Sequence, residues 1–173
     1  MTRTIELLAE AGAAGCSIED WNPKLSAIEP LSVATDRVAE AAAVANRYAM
    51  VLTARAENHL RGVTDVDDTL ARLQAYERAG AHCLYAPLLP GIDAITRVVN
   101  GTSAPINVLL LPGGPKVVEL GAVGVRRISL GSNLSRIAYG AYAAAAQRLM
   151  ETGGLATSEP YLDGGLASKA FGG

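Results

Sequence analysis

The sequence is poor in cysteine, in charge and in long hydrophobic runs. Its two cysteines, Cys16 and Cys83, lie inside apolar stretches, which excludes a disulfide framework and fits reduced, buried thiols of a cytoplasmic protein. No His or Cys spacing of a zinc site accompanies them. Charged residues make up only 18% of the chain, far from the composition of a disordered segment. Lys and Arg are scattered and the formal net charge is −2, so no cationic field is available for nucleic acid. No stretch approaches the roughly 20 apolar residues that span a bilayer, and Thr2, Arg3 and Glu6 stand where a signal-peptide core would be. The expected partner is a small molecule, with neither nucleic acid nor membrane involved.

What the sequence does have is a hydrophobic half, arranged as short runs of strand length alternating with longer stretches of helical period. That alternation predicts repeated βα units around a parallel sheet. Residues 15–19, 49–54, 82–86, 106–111 and 126–130 read as strands. Between them, residues 31–46 place Leu31, Ala34, Val38, Ala41 and Ala45 on one helical face behind Pro30. Asp67 is the expected cap of the next helix, whose inner face carries Leu70, Leu73, Tyr76 and Ala79 and whose end is marked by Gly80. Ser132 opens the last helix, with Leu134, Ala138, Ala141, Ala145 and Leu149 as its apolar stripe. The expected organisation is one unit over residues 1–150 and a flexible tail over 151–173, where Gly, Ser, Thr and Pro dominate. The first helix, about residues 3–11, precedes any strand, and a βα fold that begins this way is expected to have lost its first strand.

Ligands of parallel βα sheets bind beyond the carboxyl ends of the strands. The first strand ends in Glu19-Asp20, and the second in Arg55, Glu57, Asn58 and His59. Carboxylates suit a hard cation such as Mg²⁺, and an arginine fork suits a substrate carboxylate. The alternative is a structural ion pair between Glu19 and Arg55. His59 is a candidate acid or base, whereas His82, at the wrong end of its strand, is expected to be structural. The Gly113-Gly114 loop could bind an anion through backbone N–H groups, although tight βα turns need glycine anyway. Trp21 and Tyr85 read as packing or as a pocket wall.

The run Gly12-Ala-Ala-Gly-Cys-Ser-Ile-Glu19-Asp20, the segment Thr53-Ala-Arg55-Ala-Glu57, residues 75–81 and the stretch Ala122-Val-Gly-Val-Arg-Arg-Ile-Ser-Leu-Gly131 together resemble the isocitrate lyase and phosphoenolpyruvate mutase superfamily over about residues 3–150. The resemblance implies a (β/α)₈ TIM-type barrel, of which this chain holds about strands four to eight. It implies Mg²⁺-dependent lyase or mutase chemistry on a small oxo acid, making or breaking C–C or P–C bonds through an enolate. It assigns Glu19, with Asp20, to the metal and Arg55 to the substrate carboxylate. Glu57 and His59 are the further catalytic candidates, and Gly113 and Gly114 the further substrate-binding ones.

The same resemblance implies a homo-oligomer in which residues 132–150 reach a partner. The chain departs from the family pattern in three places. The metal-binding aspartates of the second and third strands have no counterpart, and residues 21–31 lack the lyase cysteine and histidine. Ala86, Pro87 and Leu109 replace polar residues. Cysteine-dependent isocitrate cleavage is therefore disfavoured, and the chain alone is expected to be inactive. The alternative to an enzyme is a non-catalytic remnant or interaction module that keeps the barrel scaffold.

Overall fold

The computed structural model describes residues 2–155 and 163–171, and the chain divides into two units, Met1–Leu130 and Gly131–Gly173. The first unit runs α1 (Thr2–Glu10), β1 (Gly15–Glu19), β2 (Trp21–Asn22), β3 (Ala27–Ile28), α2 (Leu31–Arg47), β4 (Val51–Arg55), a 3₁₀ turn (His59–Arg61) and α3 (Val66–Arg78). It continues through β5 (Cys83–Tyr85), α4 (Gly91–Asn100), β6 (Ile106–Leu109), α5 (Val117–Ala122) and β7 (Arg127–Ser129). The second unit contains α6 (Asn133–Thr152) and α7 (Gly164–Phe171).

All five expected strands form: β1 has its sequence-based bounds, and the other four are shorter or slightly shifted. They make one parallel sheet in the order β1-β4-β5-β6-β7. Apolar residues of one parity, Ile18, Ala54, Leu84 and Ile106, stand in register across it and are buried. On α2, Ala34, Val38, Ala41 and Ala45 are buried as their spacing predicts. Leu31, expected on the same face, stays 38% exposed in the first turn. Leu73 and Tyr76 of α3 complete this layer at 0% and 1% exposure.

The opposite face is concave. Arg127 of β7 reaches Thr53 of β4, with Nη2 donating to Oγ1 at 2.7 Å. On a flat sheet those strands would lie three spacings, about 14 Å, apart. The curvature is that of a (β/α) barrel, present here as an incomplete, five-stranded arc. The outer edges of β1 and β7 have no strand partner among the described residues.

Three local details differ from the sequence-based expectation. Asp65, not Asp67, caps α3: its backbone is extended and its carboxylate accepts the N–H groups of Asp67 and Asp68. The residues after β1 form a small antiparallel hairpin, β2 with β3, that short runs of mixed polarity do not announce. Ser132 takes the N-cap position of α6 without a side-chain cap bond. That helix buries none of its residues, the expected apolar stripe included. Of the expected tail, residues 156–162 lie outside the described residues, and α7 follows Asp163, whose Oδ1 accepts the N–H groups of Gly165 and Leu166. No helix among the described residues is long and apolar enough to cross a membrane.

The strand ends are tied together by Asp20, 2% exposed. Its Oδ1 accepts the Glu57 N–H at 2.8 Å, and its Oδ2 accepts from Tyr76 Oη at 2.6 Å and from Arg72 Nη1 at 3.2 Å. Burial, reinforced by the charge on Asp20, pushes the Tyr76 phenol well above its usual range, so it remains a donor. Arg72 also grips Asp68 and the Glu29 carbonyl. Asp20→Asn keeps the shape and removes the charge that three donors share. It is expected to destabilise the chain by about 2–4 kcal/mol in urea unfolding; a loss below about 0.5 kcal/mol would show that the knot is dispensable.

Candidate functional site

A buried parallel strand ordinarily reads as continuous hydrophobic residues. Here every strand of the sheet carries polar residues at one parity, and the register aligns them. Glu19, Arg55, Tyr85, Asn107 and Arg127 pair successively from β1 to β7, forming one line across the concave face. Ser17 and Thr53 stand beside each other one layer below, and Ser129 pairs with Leu109 one layer above.

Arg55 is the centre of this line. Its Nη1 lies 3.5 Å from Glu19 Oε2 and its Nη2 lies 2.6 Å from Glu57 Oε1, while its guanidinium sits 5.2 Å from the centre of the Tyr85 ring. The Glu19–Arg55 ion pair weighed as a structural alternative is therefore present. It does not exhaust the arginine, because Arg55 Nε is buried without a hydrogen-bond partner. The ion pair is long, and Glu19 keeps 40% of its side chain exposed.

Glu57 is 0% exposed. It lies between Arg55 and Arg61, whose Nη2 is 3.8 Å from Oε2. The close approach of Arg55 lacks the alignment of a hydrogen bond, and neither carboxylate oxygen accepts one. Burial pushes the Glu57 carboxyl above its usual range, against the pull of Arg55 and with a smaller push from Glu19. His59, in the 3₁₀ turn, is also buried, and its Nε2 has no partner. Burial lowers its imidazole below the usual value, with Asp65 opposing. Among the described residues, every buried side-chain polar atom without a partner belongs to Arg55, Glu57, Asn58 or His59. Unsatisfied buried groups are costly and mark sites that await a ligand, water or proton.

Asp20, expected beside Glu19 at a metal, has instead committed both oxygens to the knot beneath the strand ends. Its geometry is that of a positioning carboxylate. Gly113 and Gly114, expected to present N–H groups to an anion, line a separate cavity of about 370 Å³ that has no charged side chain and shares no lining residue with the cleft at Arg55. The Gly114 N–H is used within its own turn by the Leu111 carbonyl. His82 is structural as expected: its Nδ1 accepts the Leu52 N–H and its Nε2 meets Asn46 Oδ1. Trp21 stacks against Arg61, whose guanidinium carbon is 4.0 Å from the ring centre.

Sequence reasoning missed Asn107 and Arg127. Arg127 Nε donates to Asn107 Oδ1 at 3.1 Å, and Asn107 Nδ2 donates to Ser129 Oγ at 3.0 Å. The signal was available in the strand parity: a polar residue inside each otherwise apolar run.

Whether these residues fit a Mg²⁺ ion follows from their donors. The ion demands about six oxygens in near-octahedral order. Among the described residues no three His, Cys, Asp or Glu side chains are grouped to share a cation. Glu19 offers an open carboxylate, Asp20 is spent, and Glu57 is buried and drawn towards its neutral form. The described residues therefore do not by themselves fit Mg²⁺.

The family model of phosphoenolpyruvate phosphomutase matches residues 1–150. An oxaloacetate decarboxylase of Bradyrhizobium sp. (strain BTAi1) is 30% identical over 155 residues, covering 87% of this chain and 51% of its own length. A solved structure from Burkholderia cenocepacia J2315, described as a candidate lyase or mutase, is 39% identical and superposes with a TM-score of 0.91 over 99% of this chain and 64% of its own. A phosphonopyruvate hydrolase solved with oxalate and Mg²⁺ shares the fold at 21% identity and a TM-score of 0.79, covering 99% of this chain and 64% of its own. The chain thus spans between about half and two thirds of the length of these relatives. With the five-stranded parallel arc and a match running over residues 1–150, the chain belongs to the phosphoenolpyruvate phosphomutase family.

Proposed function

We propose that this chain carries the substrate-holding half of a lyase or phosphonomutase-type site for a small oxo acid, with C–C or P–C bond chemistry beside the carbonyl. The observation that carries the reading is Arg55: a guanidinium on a polar concave face, held by two carboxylates and an aromatic ring, with a buried Nε donor free. A planar carboxylate is the acceptor that such a fork matches. The relatedness to an oxaloacetate decarboxylase supports the same substrate class.

In this reading Glu19 and Glu57 fix the plane of the Arg55 guanidinium, and Tyr85 backs it. Glu57, whose carboxyl burial pushes above its usual range against the pull of Arg55, stands beside the bound acid. The neutral His59 imidazole is a second acceptor within the same buried segment. Asn107 and Arg127 line the floor of the cleft. Mg²⁺ remains the cofactor expected of the family, with Glu19 as this chain's donor towards it, although the described donors do not complete its shell.

Three measurements test the reading. Arg55→Lys keeps the charge and loses the fork, so oxalate binding followed by NMR should weaken by about 1–3 kcal/mol; an unchanged affinity would reduce Arg55 to a structural ion pair. Calorimetry on residues 1–173 should find no micromolar Mg²⁺–oxalate site, and addition of Mg²⁺ should leave oxalate affinity unaltered. Tightening by the ion would reveal donors that the present geometry does not provide. Finally, the open edges of β1 and β7 favour a homo-oligomer. Light scattering should find self-association at micromolar concentration, and a stable monomer would count against it.

A further inference from the structure

Arg127, on the floor of the cleft, is a cation that the carboxylate-binding reading leaves without a task. Its Nε donates to Asn107 Oδ1 and its Nη2 to Thr53 Oγ1, both neutral acceptors, and its Nη1 donates to no described residue. An arginine carries five N–H donors, so most of the fork is open. No carboxylate among the described residues pairs with it. Burial pushes the nearby Cys83 thiol up, against the pull of Arg127, so that group is neutral too. Arg55 differs, because its charge faces the carboxylates of Glu19 and Glu57. The positive charge of the concave face that lacks a counter-ion therefore stands at Arg127, which is exposed, and such a charge draws anions into a cleft.

The two arginines line one and the same cleft, of about 220 Å³. The rest of its wall offers the hydroxyls of Ser17, Thr53, Tyr85 and Ser129, the Asn107 amide and a single apolar side chain, Ile128. Their spacing follows from β4. Thr53, which Arg127 touches, precedes Arg55 by two residues on that strand and shares its face. The Arg127 guanidinium thus lies about one two-residue step, roughly 6.6 Å, below the level of Arg55. Arg55 itself reaches the other way, towards Glu57 beyond the strand end.

We propose that Arg127 is a specificity-determining residue: it receives the second carboxylate of a dicarboxylic oxo acid whose first carboxylate is held at Arg55, and the spacing of the two cations selects five- and six-carbon diacids over the four-carbon one. The proposal rests on the oxo-acid reading above and adds the second charge and its distance. Asn107 and Thr53 fix the plane of the Arg127 fork across the arc, and its open donors suit a carboxylate. The hydroxyls between the arginines can donate to a keto oxygen. Ile128 alone offers little to an uncharged tail.

The test is a binding series on residues 1–173 that pairs each diacid with a monoacid of the same shape, an isopropyl group replacing the far carboxylate. Oxaloacetate is set against 4-methyl-2-oxopentanoate, 2-oxoglutarate against 5-methyl-2-oxohexanoate, and 2-oxoadipate against 6-methyl-2-oxoheptanoate. The methyl resonances of Thr53 and Ile128 follow occupancy beside Arg127. 2-Oxoglutarate and 2-oxoadipate should bind about tenfold tighter than their monoacid partners, as one charge-assisted contact supplies, and added salt should narrow that gap. Arg127→Gln should close the gap, and Arg127→Lys, which keeps the charge without the fork, should preserve most of it. A merely structural arginine would leave the gap unmoved in both variants. The gap in the unaltered chain is read without any substitution, so a variant that fails to fold does not shield the proposal. Equal binding of diacids and monoacids would overturn the role of Arg127 and leave the oxo-acid reading standing, and a gap confined to oxaloacetate would overturn the spacing. If none of the six acids binds, the oxo-acid reading falls and the Arg127 assignment with it.

Discussion

The buried carboxylate of Asp20 is the interaction on which the strand ends depend. It sits where β1 stops, receives the backbone N–H of Glu57 beyond β4, and is gripped by Tyr76 and Arg72 from α3. A buried charge is tolerable only when its lone pairs are filled, and here three donors from two later segments fill them. The consequence is positional. Glu57 is delivered beside Arg55 because its own N–H is anchored, and its carboxylate is left without hydrogen bonds in a dry place. The adjacent acids Glu19 and Asp20 thus do different work, the first facing the cleft and the second holding its frame.

The concave face adds a second constraint. Side chains alternate along each strand, so one parity packs against the helices and the other faces the cleft. Register then brings Glu19, Arg55, Tyr85, Asn107 and Arg127 into one line. The contact of Arg127 with Thr53 across the arc makes the curvature part of the site's floor. A polar floor and an arginine with a free donor, framed by neighbouring carboxylates, are suited to holding an anionic oxo acid.

Much of this was legible in the sequence, for identifiable reasons. The five strands and the helices α2 and α3 follow from hydrophobic period, because burial of one face is a property of spacing. Glu19 and Arg55 follow from their position at strand ends and from the motifs that contain them. His82 follows from lying at the opposite end of its strand. Other features were illegible because they depend on contacts between segments far apart in the chain. Asp20 and Glu19 are chemically alike in the sequence, and only Tyr76 and Arg72, more than fifty residues away, separate their roles. Asp65 caps α3 in place of Asp67 because its backbone is extended there, which three closely spaced aspartates do not reveal.

The sequence by itself determined the class of fold, the parity of each strand and the presence of an acid and an arginine at neighbouring strand ends, since these depend on local order and periodicity. Tertiary structure alone decided which carboxylates are free, which polar residues of distant strands share a line, and that Gly113 and Gly114 border a cavity separate from the cleft at Arg55. Those outcomes depend on register, curvature and burial, and these exist only once the segments have packed.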